Sequence, residues 1–262
     1  MNKRTRTVLK WSGRALIALV LILAVPISAL AFPYPFFEHS DSFGHCVVYT
    51  DEEFTPGFEE VMEDVNRRLE SVEVLPENCS NRVFLCHSQE LYSLFAKLSR
   101  VNPNVQGFNL SIFGNTFVSV PRVNYVRSVF GGGPPYNMRE GSIAHVIAHE
   151  VTHDLSQNAM GFIKYYRLPL WKREGYAEYG AIIGALRENG GPELRERISE
   201  LLDDRYWGGD QDPVRTYYES WLLVEYLIEV ERRSFEEIMA EDTTFDETYG
   251  AMMDWYEEGE TR

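Results

Sequence analysis

The stretch HEVTH, residues 149–153, sets two imidazoles four positions apart with a carboxylate beside the first. On a helix, His149 and His153 stand one turn apart on the same face, near enough to share one ion. Two histidines so placed suit tetrahedral zinc, which takes three protein ligands and leaves a fourth position open for chemistry. Glu150, angled toward the adjoining space, can take a proton from an attacking water and hand it to a leaving amine. The surrounding pattern is helical: in SIAHVIAHEVTHDL, Ile143, Ile147 and Val151 form an apolar stripe, and Ala148 keeps bulk away from the ligands. The competing reading is a pair of surface histidines on an amphipathic helix.

A third ligand separates these readings. The chain has six histidines, and the other four, at 39, 45, 87 and 145, all precede the motif. His145, one turn before His149, reads as packed or solvated at the helix start rather than as a ligand. With no histidine downstream, a carboxylate must complete the set. The first long helix beyond the motif carries WKREGYAEYGA, in which Glu174 begins a small-residue-rich stretch and Glu178 follows one turn later. Gly175, Ala177, Gly180 and Ala181 let that helix approach the histidine helix closely, as two helices sharing an ion must. Standing alone, Glu174 would read as a solvated charge favoured by the helix dipole.

The elements that must position these residues predict an α+β fold, a small N-terminal mixed sheet followed by a mainly helical half. HCVVYT and NRVFLCHS have strand character around a helix at 57–72, and Ser88 opens a second helix in SQELYSLFAKLS. VQGFNLSIFGNTFVSVPRV alternates apolar and polar residues around Gly107 and Gly114, which predicts a hairpin or an edge strand. GGGPP at 131–135 reads as a turn beside the site and not as a phosphate cradle, because the Gly-Lys-Ser/Thr that would follow is missing. From residue 140 onward the pattern is helical over 140–158, 170–189, 192–203, 213–232, 234–240 and 244–258. Pro192, Pro213 and a capping box from Ser234 to Glu237 mark starts. No internal repeat is present.

HEVTH followed about twenty residues later by REGYAEY resembles the gluzincin metallopeptidases of the MA clan, thermolysin-like and aminopeptidase-like. The resemblance covers 140–232, including LPLWKREGYAEY with its Trp171 and TYYESWLLVEYLIE, while the first half matches only in kind. The metzincin pattern is absent, since DLSQNA after His153 lacks the Gly and the third His. The resemblance implies a zinc (Zn2+) peptidase acting on a peptide or protein substrate. In it His149, His153 and Glu174 hold the metal, Glu150 is the general base and Glu178 is the outer partner of a ligand histidine. Tyr217 or Tyr218 supplies a phenol for the tetrahedral intermediate, and a strand such as GNTFVSV pairs with the substrate backbone. No counterpart of the aminopeptidases' Gly-Ala-Met-Glu-Asn segment is present, so endopeptidase action stands beside aminopeptidase action. A non-catalytic binding or scaffold module that keeps the fold is the alternative class.

Composition bounds the rest. At 262 residues and 44% hydrophobic content the chain supports one sizeable core. Its net charge of −15 excludes a nucleic-acid surface, which needs clustered Lys and Arg. Lys3, Arg4, Arg6, Lys10 and Arg14 all precede the first apolar run, so the remainder carries −20. They lead into ALIALVLILAVPISALAF, 15–32, uncharged and just long enough to cross a bilayer with the basic flank cytoplasmic and the rest outside. The alternative is a signal peptide cleaved after Ala29-Leu30-Ala31, giving a secreted chain. Either way the chain divides into a leader and linker, 1–37, and a metallopeptidase-like domain, 38–262. In an oxidising compartment, parallel pairing of CVVYT and RVFLC would bring Cys46 and Cys79 together as a disulfide, leaving Cys86 free; three buried thiols is the alternative.

Overall fold

The computed structural model describes residue 11 and residues 24–123, 142–207, 212–240 and 242–260. The first half forms five strands, the inner ones from short runs of β-branched and aromatic residues: β1 (His39–Phe43), β2 (Cys46–Thr50), β3 (Asn81–Cys86), β4 (Gly107–Leu110) and β5 (Asn115–Ser119). Their order is β1-β2-β3-β5-β4, with β3 parallel to both neighbours and the two outer pairs antiparallel. The central strand reads NRVFLC, and its last four residues are apolar and buried because both faces of the sheet are covered there. Val83 and Leu85 turn to the main core with Val48 and Val118, whereas Phe84 and Cys86 turn to a second cluster with Phe117.

Helix α2 (Phe58–Leu69) links β2 to β3, and α3 (Gln89–Leu98), capped by Ser88, follows β3. The second half supplies α4 (Ile143–Met160), α5 (Phe162–Arg167), α6 (Leu170–Glu188), α7 (Leu194–Leu202), α8 (Pro213–Glu225), α9 (Phe235–Ile238) and α10 (Phe245–Glu260). The chain is thus α+β as expected, and α8 runs on as a π-helix over Tyr226–Val230 within the anticipated 213–232 span. Two elements were not foreseen: β1, whose HSDSF lacks strand-forming apolar alternation, and the short α5. The GGGPP turn lies outside the described residues.

The leader requires a correction. Among the described residues no helix is long and apolar enough to cross a membrane. Residues 15–23 lie outside the described residues, and what is described of the span is a short helix over 24–31, α1. The chain that follows it is committed to the domain. Leu30 and Phe37 are buried in the second cluster, the Leu30 carbonyl accepts a hydrogen bond from Asn115 Nδ2 at 2.7 Å, and Arg82 Nη1 donates to Tyr34 Oη at 2.6 Å. A transmembrane helix over 15–32 and a single-pass location are therefore not supported, and residues 30–37 belong with the packed domain rather than to a linker ending at 37.

The Cys46–Cys79 pairing is likewise not formed: all three cysteines are free thiols. β2 and β3 do pair in parallel, but the register sets Cys46 opposite Asn81. Cys46 points into the core, while Cys79, two residues before the strand, turns its Sγ to His45 Nδ1 at 3.4 Å.

Candidate functional site

Helix α4 starts where Ser142 accepts a hydrogen bond from the His145 backbone N–H, and its four-residue spacing sets His145, His149 and His153 along one face. The opposite face, with Ile143, Ile147 and Val151, enters the main core. Helix α6 crosses α4 closely at Gly180, where a Cβ would meet Thr152 Oγ1 at 2.6 Å. Gly175 serves a different contact. A Cβ there would meet the Ser220 carbonyl at 2.2 Å, so this glycine admits α8 rather than α4, and α8 brings Tyr217 to the site.

The three expected ligands meet. His149 Nε2 and His153 Nε2 are 3.0 Å apart, and Glu174 Oε2 lies 3.5 Å from the first and 3.4 Å from the second. Tetrahedral zinc with bonds of ~2.0–2.1 Å separates its ligand atoms by roughly 3.3 Å, so the triangle fits that ion. Their side chains are 10–15% exposed, at the floor of a cleft with a volume of about 380 Å³.

Each of these two histidines has an outer partner on its far ring nitrogen. Glu178 Oε1 lies 3.2 Å from His149 Nδ1, as expected, and Tyr165 Oη lies 2.5 Å from His153 Nδ1. The Tyr165 contact was not legible in the sequence, because α5 carries no motif and reaches α4 only through the turn at Gly161. His145 was read as packed or solvated, yet its Nε2 stands 3.2 Å from Glu178 Oε2. These Glu178 contacts are close but off-axis: His149 Nδ1 and Glu178 Oε2 are buried without a well-aligned hydrogen bond. A buried carboxylate between two imidazoles is held by charge as much as by direction.

The electrostatics follow from that packing. Burial alone pushes the His149 imidazolium down, but Glu178 foremost, with Glu174 and Glu150, reverses this and holds it well above the usual histidine value. For Glu174 and Glu178 burial raises the pKa, and the histidines more than offset it, holding both well below the carboxylate range. Glu150 differs, since burial outweighs the attraction of His149 and His153 and raises its pKa. Its Oε2 accepts a hydrogen bond from Asn109 Nδ2 at 3.3 Å, and β4 lies so close that a Cβ on Gly107 would sit 3.0 Å from Glu150 Cγ.

The structure also chooses between the tyrosines. Tyr217 lines the cleft, its pKa pushed up to about 12 by burial and then by Glu174, Glu178 and Glu150, so its O–H stays on at neutral pH. Tyr218 is fully buried between Trp207 and Trp221 and donates to Glu200 Oε2 at 2.6 Å, which removes it from the site. GNTFVSV is corrected too: β5 is flanked by β3 and β4, and β4 is the edge strand beside the cleft. Asn109 and Arg173 complete the lining without having been anticipated. Comparison of the chain with protein-family models and with curated proteins found no match.

Proposed function

We propose that the chain is a gluzincin-like, zinc-dependent peptidase that hydrolyses a peptide bond in a substrate extended along β4. The observation that carries this reading is the triangle of His149 Nε2, His153 Nε2 and Glu174 Oε2, at 3.0–3.5 Å, beside the strand that ends the sheet among the described residues and a buried glutamate. Zinc held there would polarise the scissile carbonyl and lower the pKa of water. Glu150 takes the proton of the water that adds to the carbonyl carbon and returns it to the amide nitrogen as the C–N bond breaks. Tyr217, protonated, donates to the oxygen that gains negative charge. Asn109 positions the Glu150 carboxylate, and the outer edge of β4 offers backbone groups to an added strand. Glu178 and Tyr165 fix the ring orientations of His149 and His153.

The test compares wild type with Glu150→Gln, which keeps size and loses the base. Zinc per chain should be unchanged, and hydrolysis of a peptide library should fall by ~10²-fold or more. Equal cleavage by both proteins overturns the mechanism. Zinc binding without cleavage in the wild type favours the binding or scaffold module instead.

A further inference from the structure

Arg173 immediately precedes the ligand Glu174 and is the only lysine or arginine among the described residues lining the cleft, which otherwise presents Glu150, Glu174 and Glu178. In a chain with 40 acidic against 25 basic residues, cations are readily neutralised, as Arg67, Arg187 and Arg197 are by glutamates. Arg173 is not. Its guanidinium lies over the rings of Tyr165 and Tyr166, 5.9 and 5.6 Å from their centroids, and among the described residues it makes no ion pair. Its Nε is shielded from solvent with no hydrogen-bond partner. The adjacent carboxylate is no substitute, because Glu174 Oε2 is taken up by the two histidines.

We propose that Arg173 is the docking point for a substrate carboxylate, so that the site selects peptides carrying a carboxylate near the scissile bond. The inference rests on the peptidase reading and names its substrate class. The chemistry follows from the geometry. A guanidinium is planar, weakly hydrated and stacks on aromatic faces, so the two tyrosine rings hold its fork in one orientation while the side chain lines the cleft. A carboxylate accepts that fork with two parallel charge-assisted bonds. The surrounding glutamates disfavour an anion beside them, which leaves the Arg173 guanidinium as the place for it away from the metal position. A terminal carboxylate and an aspartate or glutamate side chain present the same group.

The experiment uses zinc-loaded full chain and three peptides with one scissile sequence: a free C-terminal acid, an amide bearing a nearby glutamate, and an amide bearing glutamine there. Wild type should prefer one or both carboxylate peptides by ~10-fold or more in kcat/KM, mainly through KM. Which one it prefers identifies the source. R173Q should keep its zinc and lose the preference among the three peptides, while R173K retains part of it. Binding is read separately by calorimetric titration of acetyl-dipeptide acids and amides. If acids bind more tightly and R173Q abolishes the difference, the docking site stands even where nothing is cut, and only the peptidase reading fails. Acids and amides binding alike, or a preference that survives R173Q in a zinc-loaded protein, overturns the proposal.

Discussion

At the scale of single residues, the two carboxylates on α6 are one helical turn apart and do different work. Glu174 Oε2 faces both Nε2 atoms, whereas Glu178 meets His149 on its Nδ1 side. Glu174→Ala should therefore abolish stable zinc binding, and Glu178→Ala should weaken affinity by the ~10- to 100-fold usual for an outer partner. Measured zinc affinities decide this, and a Glu174→Ala protein that binds zinc like wild type removes the ligand set. A pH dependence follows from the same contacts. In the metal-free protein His149 is raised above its ordinary 6.5, so its ion pair stabilises the fold fully below that value and the contribution is lost as pH rises through the raised pKa. Glu174 and Glu178, held low, contribute above the ordinary 4.5 and lose that contribution as pH falls through their depressed values. Zinc needs the imidazole neutral and must expel its proton. Affinity measured by chelator competition should thus keep climbing, by up to about tenfold per pH unit, as pH rises above ~6.5, where an ordinary histidine is already mostly neutral, and a flat profile there rejects a raised His149. HEVTH and Glu174 were legible as residues because helical spacing alone brings the pair together and elimination leaves a carboxylate. Asn109 and Tyr165 were not, since each reaches the site from an element whose placement no local pattern encodes, and Arg173, though next to Glu174, carries no local signal that separates a cleft residue from a solvated one.

At the scale of elements, the cleft depends on how near α6 can come to its two neighbours. Both close approaches are made at glycines, but they differ in what a methyl group would strike: a backbone carbonyl of α8 at Gly175, and the Thr152 side chain of α4 at Gly180. A carbonyl cannot rotate away. Gly175→Ala should force α6 and α8 apart at a cost of ~1–3 kcal/mol. Because α8 carries Tyr217, hydrolysis should fall with it, while the ligands on α4 and α6 still bind zinc. Urea denaturation with zinc analysis tests this, and a Gly175→Ala chain as stable and active as wild type would show that the helices can part freely. The small-residue stretch announced a close crossing, yet which glycine served which neighbour was decided only when α8 folded back onto α6.

At the scale of the molecule, a buried ion pair outside the cleft lining ties α7 to α8. Arg197 and Glu225 meet through two bonds with side chains 2% and 4% exposed, and the guanidinium also covers the Trp221 ring at 4.6 Å. Burial raises the Glu225 pKa even against Arg197. Removing one partner strands the other, so Arg197→Met should cost ~3–5 kcal/mol, and Arg197→Met with Glu225→Met should recover much of it. Thermal melts of the single and double variants measure the recovery; equal losses in both would mean that packing on Trp221, not charge, holds the contact.

By itself, the sequence determined the α+β order, most of the element types and the one-turn spacing of His149 and His153. Period-2 and period-3.6 patterns, caps and prolines are local, and the His149–His153 pair needs only one helical turn. The parallel pairing of β2 with β3 was likewise readable from two apolar runs flanking a helix. Tertiary structure decided what depends on contacts distant in sequence. It set β4 rather than β5 at the edge, sent Tyr218 into the core and Tyr217 to the cleft, set Cys79 against His45 with no bond to Cys46, and packed Leu30 and Phe37 onto the sheet. In each case residues one position apart, or equally apolar, carry the same local signal, and only the faces of the assembled sheet and helices tell them apart.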